Sequence, residues 1–182
     1  MDRRLAIKQI GIITGGIAIL PSCLSTPENE LSVSLNNISL TGDDEALISD
    51  LVQTIIPATD TPSAADLEVH KFVMKMVDDC YGSDKQKLFI DGLGQLQVMA
   101  KSQYGNDFSN CTTEEKASLL ETIENDKEST LKDFYGILKR RTVQGYLKSE
   151  YIMKNVLVHN MIPGRFEGCI KIEETSKQKI AS

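Results

Sequence analysis

Side chains that can bind a metal ion or act as a nucleophile are few in this sequence, which has four cysteines and two histidines among 182 residues. Zinc sites need cysteine or histidine ligands at short, regular spacings, and no such spacing occurs here. His70 has no second histidine four residues away, so we interpret it as a solvated residue on a helix face. His159 and Cys169 could form a nucleophile and its base, but no local motif supports that pair.

Glycines and paired carboxylates give no stronger signal for a site. Gly92 and Gly94 fall within a helical pattern and lack the lysine or third glycine of a phosphate-binding loop. The acidic pairs at 78–79 and 114–115 are most simply solvated helix surface. We therefore expect no catalytic residue, no cofactor site and no metal site in this chain.

The N-terminal stretch MDRRLAIKQIGIITGGIAILPSC combines a basic start, an apolar centre and a final cysteine. Its apolar centre, Ile10 to Leu20, is about 16 Å long as a helix, whereas a hydrocarbon core is about 30 Å thick. This pattern is typical of a secretory signal, and we expect residues 1–22 to be removed. A cytosolic amphipathic helix is the alternative, but the apolar centre has no polar face beyond one threonine.

Two short motifs refine this signal. The ending LPSC resembles a bacterial lipobox, which predicts that Cys23 carries a lipid and anchors the chain to a membrane. The pair Arg3-Arg4, followed by Ile7 and Lys8, resembles a twin-arginine export signal. Together they predict a lipid-anchored protein on the periplasmic side of a bacterial cell envelope.

The mature chain is acidic. Without residues 1–22 it has 160 residues, the length of one domain, and a net charge of about −8. An acidic surface without a basic stripe argues against nucleic-acid binding, because phosphate contacts need clustered lysine and arginine. It also predicts that membrane attachment comes from lipid rather than from electrostatics.

Three cysteines remain when Cys23 is acylated. An exported protein can keep disulfides, so one pair can bridge and leave one thiol over. We favour a Cys80–Cys169 disulfide because Cys111 falls in a polar loop, and three buried free thiols are the alternative.

Apolar residues recur at helical spacing in five segments, and no segment shows several alternating strands. The predicted fold is therefore all-α, a small bundle of about five helices. The predicted helices lie between Thr41 and Pro57, from about Pro62 to Gly82 with Asp60 or Thr61 as cap, from Ser83 to Tyr104, after the Thr112-x-x-Glu115 capping box, and from about Ser129. Gly92 and Gly94 indicate either close packing of the third helix against a neighbour or a tolerated weakness of about 1 kcal/mol each.

The helical domain is predicted to span residues 43–159, between two different ends. Residues 23–42 are polar and predict a flexible tether, with contact to the domain through a short extended piece as the alternative. Residues 160–182 form an irregular C-terminal arm that is too apolar to be a free tail. The arm must lie on its own domain or on a partner, and its candidate contact residues are Ile162, Pro163, Gly164 and Phe166.

Several stretches resemble the gluconate 2-dehydrogenase subunit 3 family. The resemblance runs from about residue 44 to 170, and its most specific part is IPATDTP at 56–62. It implies the small, cofactor-free subunit of a periplasmic dehydrogenase. The implied partner is a glucose-methanol-choline-type flavoprotein that carries FAD, with a cytochrome c as a further partner. Pro57, Asp60 and Pro62 are then candidate interface residues, together with the arm.

The resemblance also implies a role for the N-terminal signal. In such complexes the small subunit commonly carries the twin-arginine signal, and the folded flavoprotein is exported with it. We therefore expect a non-catalytic subunit that aids export, stability and membrane tethering of a sugar or polyol dehydrogenase. The alternative is a stand-alone periplasmic lipoprotein that acts as a binding or structural module, and an enzyme in its own right is a third hypothesis.

Overall fold

The structure, a computed structural model, describes residues 31–126 and 130–157. These residues belong to one compact unit that contains six α-helices, one 3₁₀ turn and, within the described ranges, no strand. The helices are α1 (Gly42–Ile55), α2 (Val69–Cys80), α3 (Ser83–Tyr104), α4 (Thr113–Asn125), α5 (Thr130–Leu147) and α6 (Glu150–Asn155), and the 3₁₀ turn is Phe108–Asn110. The predicted all-α fold is confirmed, with one short helix, α6, beyond the five predicted.

Helix α5 forms the centre of the bundle, because it packs against α1, α2, α3, α4 and α6. Its residues Phe134 and Leu138 are fully buried, and the Phe134 ring lies 5.1 Å from the ring of Phe89 on α3. Neighbouring helices must approach a central helix closely on several sides. Small residues are therefore expected where the helices touch.

The two glycines of α3 serve different purposes. A Cβ atom on Gly92 would lie 2.4 Å from Cγ of Phe134, whereas a Cβ atom on Gly94 would meet nothing within 4 Å. Close packing against a neighbour therefore accounts for Gly92, and Gly94 is a tolerated weakness of an exposed position.

The predicted starts of α1 and α4 are confirmed by capping boxes. At α1 the Asp44 backbone N–H donates to Thr41 Oγ1 at 3.3 Å, and the Thr41 backbone N–H donates to Asp44 Oδ2 at 2.8 Å. Thr112 and Glu115 make the same reciprocal pair at the start of α4. Each box satisfies backbone donors that the first helical turn leaves without partners.

The predicted start of the second helix is wrong by seven residues, since α2 begins at Val69 and not near Pro62. Ser63, rather than Asp60 or Thr61, caps a single turn, because the Asp66 backbone N–H donates to Ser63 Oγ at 3.1 Å and the Ser63 backbone N–H donates to Asp66 Oδ2 at 2.9 Å. Glu68 then ends that turn with a φ of 53°, in the left-handed region. Local side-chain hydrogen bonds thus compete with continuation of the helix.

Residues 31–41 pack along the bundle, which corrects the prediction of a flexible tether over 23–42 for this part of it. Ile38 and Leu40 are buried, and Leu31 and Leu35 pack against the same core. The segment is polar on average, so its composition did not indicate that these apolar residues pack on the bundle. Most of the residues between them are exposed. Residues 23–30 lie outside the described part of the chain.

Asp78 on α2 fastens this segment. Its buried carboxylate accepts the backbone N–H groups of Asn36 at 2.9 Å, Asn37 at 2.6 Å and Ile38 at 3.0 Å. Lys75 Nζ lies 3.4 Å from the same carboxylate. The interpretation of residues 78–79 as solvated surface is therefore wrong for Asp78. Its buried carboxylate accepts hydrogen bonds from a segment about 40 residues earlier in the chain.

This arrangement predicts that the fold loses stability in acid. Burial alone would raise the pKa of Asp78, but the three N–H donors and Lys75 together lower it from 3.8 to about 2. A lowered folded-state pKa contributes stability that is present above about pH 4 and is lost as pH falls towards about 2. We expect about 2 kcal/mol of acid-dependent stability from this group, measured as the difference between urea unfolding curves of the wild type and an Asp78→Ala variant across that range.

Candidate partner interface

His70 is not the solvated residue that the sequence predicts. Its side chain is only 12% exposed, and Nε2 lies 3.4 Å from Oε1 of Glu45. Burial lowers the pKa of His70, and the Glu45 carboxylate opposes this effect only in part. The Nδ1 atom is buried and has no hydrogen-bond partner among the described residues. Because Glu45 also accepts the backbone N–H of Ser32 at 2.8 Å, this cluster contributes to packing of the N-terminal segment.

The cysteines and acidic residues do not converge. Across the described ranges, no group of three or more His, Cys, Asp or Glu side chains is arranged to hold a metal ion. Cys80 is exposed, whereas Cys111 is buried, and burial raises the pKa of the Cys111 thiol. Cys169 lies outside the described residues, so its pairing with Cys80 stays a prediction.

The loop that joins α1 to α2 presents an exposed tip. Pro57 and Asp60, two of the predicted interface residues, are exposed, and Pro62 is partly buried. Within the loop, the Thr59 backbone N–H donates to the Thr61 carbonyl at 3.0 Å. The tip is therefore exposed but internally hydrogen-bonded, as a recognition loop must be to keep the ordering cost of binding low.

Tyr146 of α5 holds this loop in place. Its hydroxyl lies 2.7 Å from Thr61 Oγ1 and donates to the carbonyl of Pro62 at 3.0 Å. The Tyr146 ring is buried. Its neighbour Gly145 lets α5 approach α2 closely, because a Cβ atom there would lie 2.6 Å from Cδ1 of Phe72. Tyr146 thus positions loop residues that precede it by more than 80 positions.

Exposed apolar side chains follow one another along the chain at the end of α5, on α6 and just after it. We define the apolar surface as Leu147, Tyr151, Val156 and Leu157, which are 46%, 36%, 44% and 49% exposed. Tyr151 lines a shallow depression together with Leu67, which belongs to the segment that joins α1 to α2. Exposed apolar side chains of this size are candidates for a protein–protein contact.

The remaining predicted residues fall outside the described ranges. Ile162, Pro163, Gly164 and Phe166 follow the last described residue, Leu157, and nothing tests their proposed contacts. The same holds for Arg3, Arg4 and Cys23 at the other end of the chain.

A groove lined by basic side chains is the feature that the sequence did not predict. Lys85 of α3 and Lys132, Lys139 and Arg140 of α5 line a groove of about 470 Å³. The absence of a basic stripe, inferred above from composition, is thus incorrect. The seven- and eight-residue spacings from Lys132 to Lys139 and Arg140, two helical turns, were the available signal.

Comparison with known proteins identifies the family. None of the helices described is long and apolar enough to span a bilayer. The model of one protein family, gluconate 2-dehydrogenase subunit 3, matches residues 42–164, which include the exposed loop and all six helices. No curated protein and no solved structure matches the chain. Because the family model covers more than half of the sequence, the chain belongs to the gluconate 2-dehydrogenase subunit 3 family.

Proposed function

We propose that this protein is the non-catalytic small subunit of a flavin-dependent sugar or polyol dehydrogenase of the gluconate 2-dehydrogenase kind. Family membership supports association with a dehydrogenase. In this proposal FAD and the oxidation chemistry belong to a glucose-methanol-choline-type flavoprotein partner, and a cytochrome c accepts the electrons. This chain contributes a docking surface and no cofactor of its own.

The single observation that carries the proposal is that the end of α5 both holds the exposed loop, through Tyr146, and exposes the first side chain of the apolar surface, Leu147. The Pro57–Asp60 tip is fixed through Tyr146, so it need not be ordered when a partner binds. The neighbouring side chains Leu147 and Tyr151 are of the kinds that bury apolar area in the centre of an interface. A pre-organised loop next to apolar side chains is suited to bind a folded protein.

Export and tethering are part of the proposal. Arg3 and Arg4 would direct the chain, with its folded flavoprotein, to the periplasm, and a lipid on Cys23 would hold the complex at the membrane. Two or three acyl chains give stable anchoring, whereas one myristoyl-sized chain binds only marginally.

The test is purification of the tagged full chain from membranes of its native host, with a double variant Leu147→Asp and Tyr151→Asp beside the wild type. We expect the wild type to bring down a flavoprotein with flavin absorbance and sugar-dependent dye reduction. The double variant should bind it roughly 100-fold or more weakly, because two charges would be buried in an apolar contact.

A Val98→Asp variant is the matched control. Val98 is 68% exposed on α3, and it lines neither the loop nor the apolar surface, so its change should leave the complex intact. Thermal melts of all three proteins verify the fold. If the wild type purifies without any flavoprotein, the accessory-subunit proposal fails and the stand-alone lipoprotein replaces it. If all three proteins bind equally, the docking surface lies elsewhere.

A further inference from the structure

The basic groove lies between the start of α3 and the N-terminal half of α5. Its volume is about 470 Å³. The space next to Gly136 in this groove is free, because a Cβ atom added there would meet nothing within 4 Å. Its apolar lining includes Leu88, Ile137 and the ring of Tyr135. The groove is therefore an accessible cleft with charged walls over an apolar floor.

The charges on its walls are predominantly positive. Lys139 is paired with Glu124, at 2.6 Å and 2.9 Å to the two carboxylate oxygens. Lys85, Lys132 and Arg140 also line the groove and form no ion pair within the described ranges. Asp133 is the other carboxylate on the walls. Among the described residues, three cations without an ion pair against one carboxylate is a local excess opposite in sign to the net charge of −6 of the whole chain.

Aromatic rings support the cations on one side. Lys85 Nζ lies 5.8 Å from the centre of the Tyr81 ring. Lys139 Nζ lies 5.6 Å from the centre of the Tyr135 ring, and both rings line the groove. These contacts limit the freedom of the side chains, so less conformational entropy is lost when an anion binds.

The reach of the N-terminal linker selects among possible anions. This step rests on the proposed function, in which Cys23 carries the lipid. Residues 31–41 are packed on the bundle, so only the seven residues 24–30 separate the anchor from it. Seven residues span at most about 25 Å when extended, which holds the acidic bundle close to an anionic bilayer. A bundle at that distance is repelled unless it turns a basic surface towards the lipid.

We infer that the basic groove faces the membrane and binds the phosphodiester headgroup of anionic phospholipids. The phosphate would lie between Lys132 and Arg140, which are two helical turns apart on α5, with Lys85 on the opposite wall. Arginine can bind phosphate oxygens through two N–H groups at once, and lysine adds a compact charge. The lipid anchor supplies most of the membrane affinity, and the groove sets the orientation of the subunit.

Vesicle sedimentation with the mature chain, residues 23–182, carrying Cys23→Ala tests this inference, because neither the apolar N-terminal signal nor an acyl chain then contributes. Vesicles of phosphatidylcholine are compared with vesicles that contain one-third phosphatidylglycerol, at about 0.1 M salt. Lys132→Gln with Arg140→Gln should lower the partition onto phosphatidylglycerol vesicles by about 25-fold, at roughly fivefold for each basic residue near the surface. Binding to phosphatidylcholine vesicles should not change.

Lys87→Gln with Lys148→Gln is the matched control. It removes the same charge from two exposed lysines that do not line the groove, and it should change the partition less than twofold. Equal losses in the two double variants would reduce the effect to net charge and overturn the inference. Inorganic phosphate that competes at the same phosphate concentration as the lipid would overturn it as well, in favour of a free anion. Loss of flavoprotein binding with unchanged vesicle binding would assign the groove to an acidic protein surface instead.

The two proposals can fail separately. The vesicle experiment needs neither acylation nor a flavoprotein, and copurification of the flavoprotein does not depend on lipid composition. A positive result in one with a negative result in the other is therefore informative about each.

Discussion

Replacing Asp78 with alanine is expected to lower the free energy of unfolding by about 3 kcal/mol and to detach residues 31–41 from the bundle. The buried carboxylate accepts the backbone N–H groups of Asn36, Asn37 and Ile38. Each donor left buried without an acceptor would cost about 1–3 kcal/mol. Detachment of the segment limits that cost, because the donors can then bind water, but it exposes the apolar side chains of the segment. For a domain of this size, Tm should fall by about 6–12 °C.

The neighbouring Asp79→Ala variant is the control. The Asp79 side chain is 44% exposed, and its Oδ2 lies 3.4 Å from Lys75 Nζ, which is a surface ion pair worth little. Its free energy of unfolding should stay within about 0.5 kcal/mol of the wild type. Amide hydrogen exchange at Asn36 to Ile38 should become fast only in Asp78→Ala. Equal melting temperatures for the two variants would show that the hydrogen bonds of Asp78 to residues 36–38 contribute nothing to stability.

Replacing Gly92 with alanine is expected to cost about 2–3 kcal/mol, an unusually large penalty for one added methyl group. The new Cβ atom would lie 2.4 Å from Cγ of Phe134, whose fully buried ring is held against Phe89. Neither ring can move without displacing other core residues, because the interior is closely packed. Urea unfolding should show a lower midpoint with little change in slope.

Gly94→Ala on the same helix should change stability in the opposite direction. Its Cβ atom would meet nothing within 4 Å, so the better helix propensity of alanine should add up to about 1 kcal/mol. Both variants add one methyl group to the same helix, at positions two residues apart. A similar effect of both on the midpoint would contradict the packing argument.

Local sequence signals predicted the helices well where their causes are local. The capping boxes at Thr41 and Thr112 depend on residues three positions away. Both helix starts were predicted correctly, and the box at Thr112 was predicted as such. The start of α2 was not, because Ser63 caps a turn that stops after a few residues at Glu68. A serine followed by an aspartate three positions later can cap either a single turn or a long helix. The pattern therefore does not reveal how long the helix will be.

Long-range contacts account for what the sequence did not predict about the site. Asp78 and Asn37 are 41 residues apart, and Thr61 and Tyr146 are 85 residues apart. A single sequence contains no signal that joins such pairs. The exposure of Pro57 and Asp60 was expected from the family resemblance, whereas the way in which α5 fixes their loop required the fold. The basic groove could not be predicted from the sequence for the same reason, because its basic side chains come from two helices.

The packed segment at the N-terminus also determines how the bundle bears mechanical load. Its contacts follow α2 in chain order: Ser32 lies by Glu45 and His70, the Ser34 carbonyl accepts from Lys75, and the next residues bind Asp78. The segment therefore runs alongside α2 in the same direction. Tension applied at Leu31 along the axis of α2 loads these bonds in shear, together rather than one after another. A pull on the N-terminal end of the described chain is thus shared by the contacts that residues 32–38 make with α1 and α2.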